Sequence, residues 1–255
     1  MKGRRMLVLS VLTVLALASG CCTLPSAVQE ATQTVRGSGE VVTETRSVSG
    51  FSRVDVSSLY DLTIVVGDRE DLTVEAEDNM MRYVQSQVRG GTLRLGLEGN
   101  PARISFQPTK RIRYTLTVRS LAGLTTSGIG RVQIDDLETE RLRLTLSGDT
   151  TVIIDRLSAD DLQVNSSGVS RVTIGEGSVG TQDLEVSGAS IYEAGDVESQ
   201  RARVEISGAG KAVVWVTDTL DAETSGIGAV QYYGSPQLRA ETSGGGKVRR
   251  LGGRG

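Results

Sequence analysis

A Ser-Gly pair recurs at nearly constant spacing through the second half of this chain. Four successive intervals are 20 residues long and the last two are 18. A fixed period of this length indicates a repeat architecture in which each repeat contacts its neighbours. The sequence therefore predicts a solenoid whose corner serines are Ser127, Ser147, Ser167, Ser187, Ser207, Ser225 and Ser243.

The residues around each corner serine alternate between apolar and polar. Apolar residues tend to stand one, three and five positions before the serine, and five and seven positions after it, as Leu144 and Val152 do around Ser147. A period of two is typical of strands with one face turned inward. The pattern predicts an all-β, single-stranded β-helix with coils of about 18–20 residues and two strands per coil.

The corner glycine supplies a backbone conformation that a Cβ would resist. A small residue usually stands three positions after the serine, so the corners are expected to stack at the strand spacing of about 4.8 Å. Two interpretations of the resulting serine row are open: a groove for a ligand or ion, or hydroxyls that bond to one another and to the turn backbone. Local preference for Ser and Gly at turns favours the second.

The first half of the domain is less regular, which predicts irregular N-terminal coils. Residues 78–88 could form a helical turn or lead into a strand, and residues 96–110, which hold two of the four prolines, are expected to be an irregular excursion. Alternating pairs predict strands at Val54/Val56, Leu62/Ile64, Leu72/Val74 and Leu93/Leu95.

The N-terminal segment has the layout of an export signal. Basic residues at positions 2, 4 and 5 precede an apolar run from Met6 to Ala18, and the run ends in a segment, "LASGC", that resembles a bacterial lipobox. The run is too short for a comfortable membrane-spanning helix, which disfavours an uncleaved anchor. We predict a lipoprotein signal peptide over residues 1–20 and lipidation of Cys21, with palmitate among the acyl chains.

The rest of the chain divides into three predicted segments. Residues 21–35 are expected to be a lipid-anchored tether, residues 36–250 the β-helix domain and residues 251–255 a flexible tail. The protein would be exported and held at the membrane through its N-terminal lipid. Cys22 stands where an aspartate would favour inner-membrane retention, so the outer membrane is expected if the host is Gram-negative.

Composition excludes several classes of function. The chain has no histidine, which removes Ser-His-Asp sites and His-rich zinc sites. Loss of residues 1–20 removes three of 28 basic residues and none of 31 acidic ones, leaving a net charge of −6 that argues against a nucleic-acid partner. Neither a cofactor nor a resident metal is predicted, and the oligomeric state is left open.

Two groups of side chains are candidates for a site. Trp215 and Tyr233 stand eight positions after their serines and are expected to emerge on one outer column, with Tyr232 beside them, as a possible ligand patch. The alternative is that these aromatic residues cap the core. The acidic residues Asp135, Asp136, Glu138, Glu140, Asp160 and Asp161 are interpreted as solvated turns, with a weak calcium site between Asp136 and Asp160 as the alternative.

Several segments resemble one bacterial family. These are Cys21, "SVSGFSRVDVSSLYDLTIVVGD", "LTVEAEDN", "GTLRLGL" and the following Ser-Gly coils. They are similar to the head GIN domain proteins, which are catalogued as auto-transporter adhesin heads. The resemblance covers roughly residues 36–250 and implies an envelope β-helix without an established enzymatic activity. It supplies no binding residues.

The sequence thus favours a non-enzymatic envelope lipoprotein that serves adhesion, scaffolding or recognition of a surface glycan or protein. The alternative is a β-helix polysaccharide lyase or hydrolase acting on cell-wall or extracellular glycan. Such an enzyme needs carboxylates a few ångströms apart, and it is expected to show a long groove lined by several carboxylates and aromatic residues near the middle of the solenoid. A scaffold is expected to show a flat face with scattered charges. A sensor whose partner is encoded nearby is a third possibility.

Overall fold

A computed structural model describes residues 33–98 and 104–254, and it is almost entirely β-structure. All strand pairs and buried side chains named below belong to this part of the chain. The elements are β1 (Gln33–Arg36), β2 (Val41–Arg46), β3 (Arg53–Val56), β4 (Leu59–Val66), β5 (Asp71–Glu77), α1 (Asp78–Met81), β6 (Val84–Arg89), β7 (Thr92–Leu97), β8 (Ile104–Gln107), β9 (Ile112–Val118), β10 (Gly123–Thr126), β11 (Ile129–Gly188), β12 (Ile191–Gly208), β13 (Lys211–Gly226), β14 (Ala229–Tyr233), β15 (Gln237–Gly244) and β16 (Lys247–Gly252).

Successive repeats, each running from one Ser-Gly pair to the next, lie side by side in parallel. β11 pairs with β12 so that Ser187 faces Ser207, which is the 20-residue offset of the sequence. The offset falls to 18 between β12 and β13, where Ser207 faces Ser225, and it stays at 18 between β13 and β15. The shortening arises at an irregularity after Ala194, which precedes the pairing of Glu198 with Trp215.

The core consists of side chains from equivalent positions of each repeat. The alternating columns predicted on both sides of the serine are buried: Leu144 and Val152, for example, have no exposed surface. A third inward position, ten residues after the serine, was not predicted, and it is occupied by Leu137, Leu157 and Val197. Together these columns form one continuous hydrophobic cluster along the stacked repeats.

The glycine that follows each of the seven corner serines has a positive φ, from 79° at Gly244 to 124° at Gly168. The corners stack so closely that a Cβ on Gly148 would lie 2.3 Å from the carbonyl oxygen of Gly128. Two independent constraints therefore require glycine here: the backbone conformation and the space taken by the preceding corner.

The N-terminal part contains the expected strands together with antiparallel pairs. β5 runs antiparallel to β2 and β9, and β6 runs antiparallel to β7. Residues 78–88 adopt both conformations left open by the sequence, since α1 ends at Met81 and β6 begins at Val84. Helix α1 is short, and its own residues Met80 and Met81 are buried.

Three segments predicted to lack regular structure contain strand residues. The excursion predicted over residues 96–110 contains β8, which pairs in parallel with β1. Strand β1 begins at Gln33, inside the predicted tether, and its Val35 is buried. At the other end β16 continues to Gly252, inside the predicted tail. Cys21 and the predicted signal peptide lie outside the described residues.

No helix among the described residues is long and apolar enough to cross a membrane. All the strand pairs above join residues between Gln33 and Gly252, and the hydrophobic cluster lies within the same segment. Residues 32–255 therefore contain their own core and form a compact unit by themselves. This segment is the natural fragment for experiments in solution.

Candidate functional site

A groove crosses four successive repeats at positions 11 to 13 after the corner serine. It encloses about 700 Å³. The buried column ten residues after the serine fixes the backbone beneath it, and strand alternation turns positions 11 and 13 outward. The groove is lined by Glu138, Thr139, Glu140, Ser158, Ala159, Asp160, Ser178, Val179, Gly180, Glu198 and Gln200.

Four carboxylates face this groove: Glu138, Glu140, Asp160 and Glu198. All four side chains belong to exposed residues, and none has an ion-pair partner within the part of the chain that the structure describes. Ser158 and Ser178 supply hydroxyls between them. The lining residues include no basic or aromatic side chain. The groove can therefore accept hydrogen bonds from a hydroxyl-rich or cationic ligand, and it disfavours an anionic one.

The neighbouring acidic residues have different surroundings. Arg156 lies 3.9 Å from Asp136 and also forms an ion pair with Glu176, and its hydrogen bond to Glu176 raises the pKa of the Arg156 guanidinium. Asp161 lies 3.4 Å from Arg141. The predicted interpretation of Asp136 as part of a solvated surface agrees with these contacts. Asp160, its suggested partner in a calcium site, lines the groove instead.

Trp215 and Tyr233 are neighbours, as the repeat alignment predicts. They face each other in the parallel pair of β13 and β14, and both are half-buried. Tyr232 does not belong to this surface. Its side chain is 8% exposed and packs in the hydrophobic cluster, because alternation along β14 turns it inward. The expectation that Tyr232 forms part of a ligand patch is therefore wrong.

The Tyr233 ring already has contacts within the chain. One ring carbon would lie 3.1 Å from a Cβ built on Gly195, so the ring lies close to that glycine. The guanidinium carbon of Arg254 lies 4.1 Å from the ring centroid, and the same group forms an ion pair with Asp196. A ligand of this aromatic pair would have to displace Arg254 or bind mainly to Trp215.

The corner serines lie in register, and two of their hydroxyls have clear partners. Ser147 Oγ donates to the carbonyl oxygen of Thr126 at 3.0 Å, and Ser187 Oγ donates to that of Ser166 at 3.3 Å. These contacts tie the corners at Ser147 and Ser187 to the repeat before each of them. They favour a structural contribution of the row over a ligand groove.

A buried hydroxyl cluster lies directly inside these corners, and sequence reasoning did not anticipate its contacts. Ser166 Oγ lies 2.7 Å from Ser190 Oγ, and Ser170 Oγ donates to Ser190 Oγ at 3.1 Å. All three residues are at most 5% exposed. The hydroxyls satisfy one another, which allows polar residues to occupy the core at this level.

Comparisons with known proteins agree with one another. Residues 50–236 match the family described as "Putative auto-transporter adhesin, head GIN domain". The fold is similar to the crystal structure of a putative adhesin from Bacteroides fragilis NCTC 9343, with a TM-score of 0.79 and 25% identity over 85% of this chain and 100% of that chain. No curated protein matches the sequence.

Two proteins from Parabacteroides distasonis ATCC 8503 share the fold at lower identity. A putative lipid binding protein gives a TM-score of 0.70 at 21% identity, and it covers 86% of this chain and 100% of that chain. A putative adhesin gives 0.68 at 20% identity, with the same coverage. At this level of identity, both matches concern the fold alone.

Proposed function

Since the chain belongs to the head GIN domain family, we propose that it is a non-enzymatic adhesin of the bacterial cell envelope. It would recognise a surface glycan or a protein. The family and the similar structure from Bacteroides fragilis carry adhesin descriptions, not enzyme descriptions. The proposal also includes a lipid anchor at Cys21, an outer-membrane location and a single-stranded β-solenoid. The parallel strand offsets of 20 and 18 residues support the solenoid.

The observation that carries the proposal is the groove across four repeats. Equivalent positions of successive repeats are about 4.8 Å apart, so the groove presents polar groups at a regular interval along one direction. A linear polymer can contact several repeats at once, and each contact adds to the affinity. The hydroxyl and carboxylate lining favours a neutral, hydroxyl-rich glycan or a basic protein segment over an anionic polymer.

The first prediction concerns ligand binding in this groove. Changing Ser158 and Ser178 together to arginine fills an exposed surface with two long cationic side chains, so the core remains intact. We expect the double variant of residues 32–255 to lose at least about tenfold in affinity for its ligand, or roughly 1.4 kcal/mol. A glycan array and an envelope pull-down identify the ligand, and titration of both proteins measures the loss.

Two further double variants test the competing surfaces. Ser207→Arg with Ser225→Arg places the same side chains on the serine row, and Trp215→Ala with Tyr233→Ala removes the aromatic pair. Neither is expected to change the affinity of the groove. Loss of binding in the aromatic variant alone, with an unchanged Tm, would move the site to Trp215 and Tyr233.

The second prediction concerns the anchor. Cys21→Ser removes the thiol that would carry the lipid, so we expect metabolic fatty-acid labelling to disappear and the protein to leave the detergent phase. Two acyl chains give stable membrane binding, at about 0.8 kcal/mol per buried methylene. Cys22→Ser is the matched control and should retain its label. Equal labelling of the wild type and the Cys21 variant would exclude this anchor.

The groove also supports a second candidate function, because its four carboxylates are the residue type used in glycoside cleavage. Prolonged incubation with the bound glycan separates the two functions. An adhesin returns the glycan unchanged. Shorter products that disappear with Asp160→Asn or Glu140→Gln would instead identify a hydrolase or lyase.

A further inference from the structure

The C-terminal edge of the stacked repeats has free strand edges. In the described structure β15 pairs with β13 alone, and β16 pairs with β14 alone. The opposite end differs, because antiparallel strands such as β2 and β6 lie there. Unpaired backbone N–H and C=O groups along a free edge are a template for pairing with another strand.

The same edge exposes positions that are buried in the preceding repeat. Leu238 faces Leu220 in the strand register, and its exposed fraction is 44% where that of Leu220 is 1%. Likewise Thr242 faces Thr224, which is buried, but is itself exposed. All eight residues of β15 are exposed. Repeat proteins normally cover such positions with a polar capping repeat.

We propose that this edge binds the same edge of a second copy of the chain, with the two β15 strands antiparallel about Ala240. In this register Arg239 lies opposite Glu241 of the partner subunit, and the twofold axis generates the pair a second time. Opposite charges facing each other across an antiparallel pair are stabilising. Leu238, exposed in a single copy, is covered by the partner.

Other registers lack this complementarity. A shift of the centre to Glu241 places two glutamates opposite each other, and a shift to Arg239 places two arginines opposite each other. A slip of one residue turns the inward side chains of one strand outward. The strand is therefore complementary to itself in one register, which favours a second copy over an unrelated strand. The resulting interface is isologous and closes as a dimer.

The test uses residues 32–255 and measures mass by sedimentation over a range of concentrations. The wild type is expected to form a dimer. Arg239→Glu and Glu241→Arg each place like charges across both symmetry-related pairs, so each variant should dissociate at least about tenfold more readily. An equimolar mixture of the two variants should recover the dimer, because opposite charges again face each other between unlike copies.

This mixture distinguishes the interface from a structural effect within one chain. Arg239 also lies 2.8 Å from Glu241 of its own chain, and that contact is lost in either variant whether or not they are mixed. Arg203→Glu is the matched control, since it breaks the corresponding contact with Glu205 in β12, which is paired on both edges. Any one of four results would overturn the proposal: a monomer at every concentration, a dimer insensitive to either variant, no recovery of the dimer on mixing, or an open-ended polymer.

Discussion

Gly148→Ala is expected to lower the free energy of unfolding by about 2–4 kcal/mol. The φ of Gly148 is 98°, a conformation that a residue with a Cβ rarely adopts. In addition, the new methyl group would lie 2.3 Å from the carbonyl oxygen of Gly128, so the stacked corners would have to separate. Urea unfolding of residues 32–255 measures the change through its midpoint, provided that the slope stays constant.

Gly39→Ala separates the two causes of this loss. Gly39 has a similar φ of 88°, but a Cβ there would meet no atom within 4 Å. Its substitution should therefore cost only the conformational term, about 1 kcal/mol. Arg171→Gln removes only a surface ion pair with Glu193 and should change stability by less than about 0.5 kcal/mol. Equal losses at Gly39 and Gly148 would show that contact between corners is unimportant.

The corners could be predicted because one local requirement is repeated seven times. A glycine in a left-handed conformation is visible in sequence wherever the fold needs it at a fixed interval. Alternation of apolar residues likewise identified the two buried columns beside the serine. The third column is not apparent in the sequence because its residues vary: Leu137 and Leu157 are followed by Gly177 at the equivalent position. At Gly177 a Cβ would lie 1.8 Å from the carbonyl oxygen of Leu157, so close backbone contact replaces a side chain.

Tyr232 shows where the same alignment fails. The distance from the serine predicts the aromatic pair of Trp215 and Tyr233, whereas only adjacency in sequence suggests Tyr232 as a part of the same patch. Adjacent residues of a strand point to opposite faces, so one of two neighbouring tyrosines must turn inward. Alternation from buried Val230 already assigns that position to Tyr232.

The groove could not be derived in this way. Its lining positions carry glutamate, serine and glycine in different repeats, and no period in residue type marks them. The acidic residues Glu138, Glu140 and Asp160 were correctly placed on the surface, but their common cavity depends on the path of four stacked backbones. The contact of Arg254 with Tyr233 and Asp196 likewise joins residues far apart in sequence.

The contacts of Glu77 are a second feature that the sequence does not predict. It ends β5 and is 2% exposed. Its carboxylate accepts hydrogen bonds from the backbone N–H of Gly39 at 2.8 Å and of Thr109 at 2.9 Å, and from the Thr109 hydroxyl at 2.5 Å. The acceptor thus joins the segment after β1 to the segment before β9, which lie 38 and 32 residues away.

Glu77→Gln is expected to destabilise residues 32–255 by about 2–3 kcal/mol, since it removes charge from these hydrogen bonds and turns an amide N–H₂ towards N–H donors. Glu75→Gln is the matched control: it affects only a surface pair with Arg113 and should cost less than about 1 kcal/mol. Urea midpoints of the three proteins at neutral pH measure both changes. A loss at Glu77 no larger than that at Glu75 would contradict the importance of the buried acceptor.

The stabilisation that Glu77 contributes is expected to depend on pH. Burial raises the pKa of Glu77, but the hydrogen bonds from Thr109, Gly39 and Lys110 outweigh burial and hold the pKa below its ordinary value. A carboxylate with a lowered pKa in the folded state contributes its stabilisation above the pKa of the unfolded chain, about 4.3, and loses it as the pH falls through the folded value. The difference in unfolding free energy between the wild type and Glu77→Gln should therefore be constant near neutral pH and shrink below about pH 4. A difference that stays the same down to the acid transition would show that Glu77 is not held as a carboxylate by these donors.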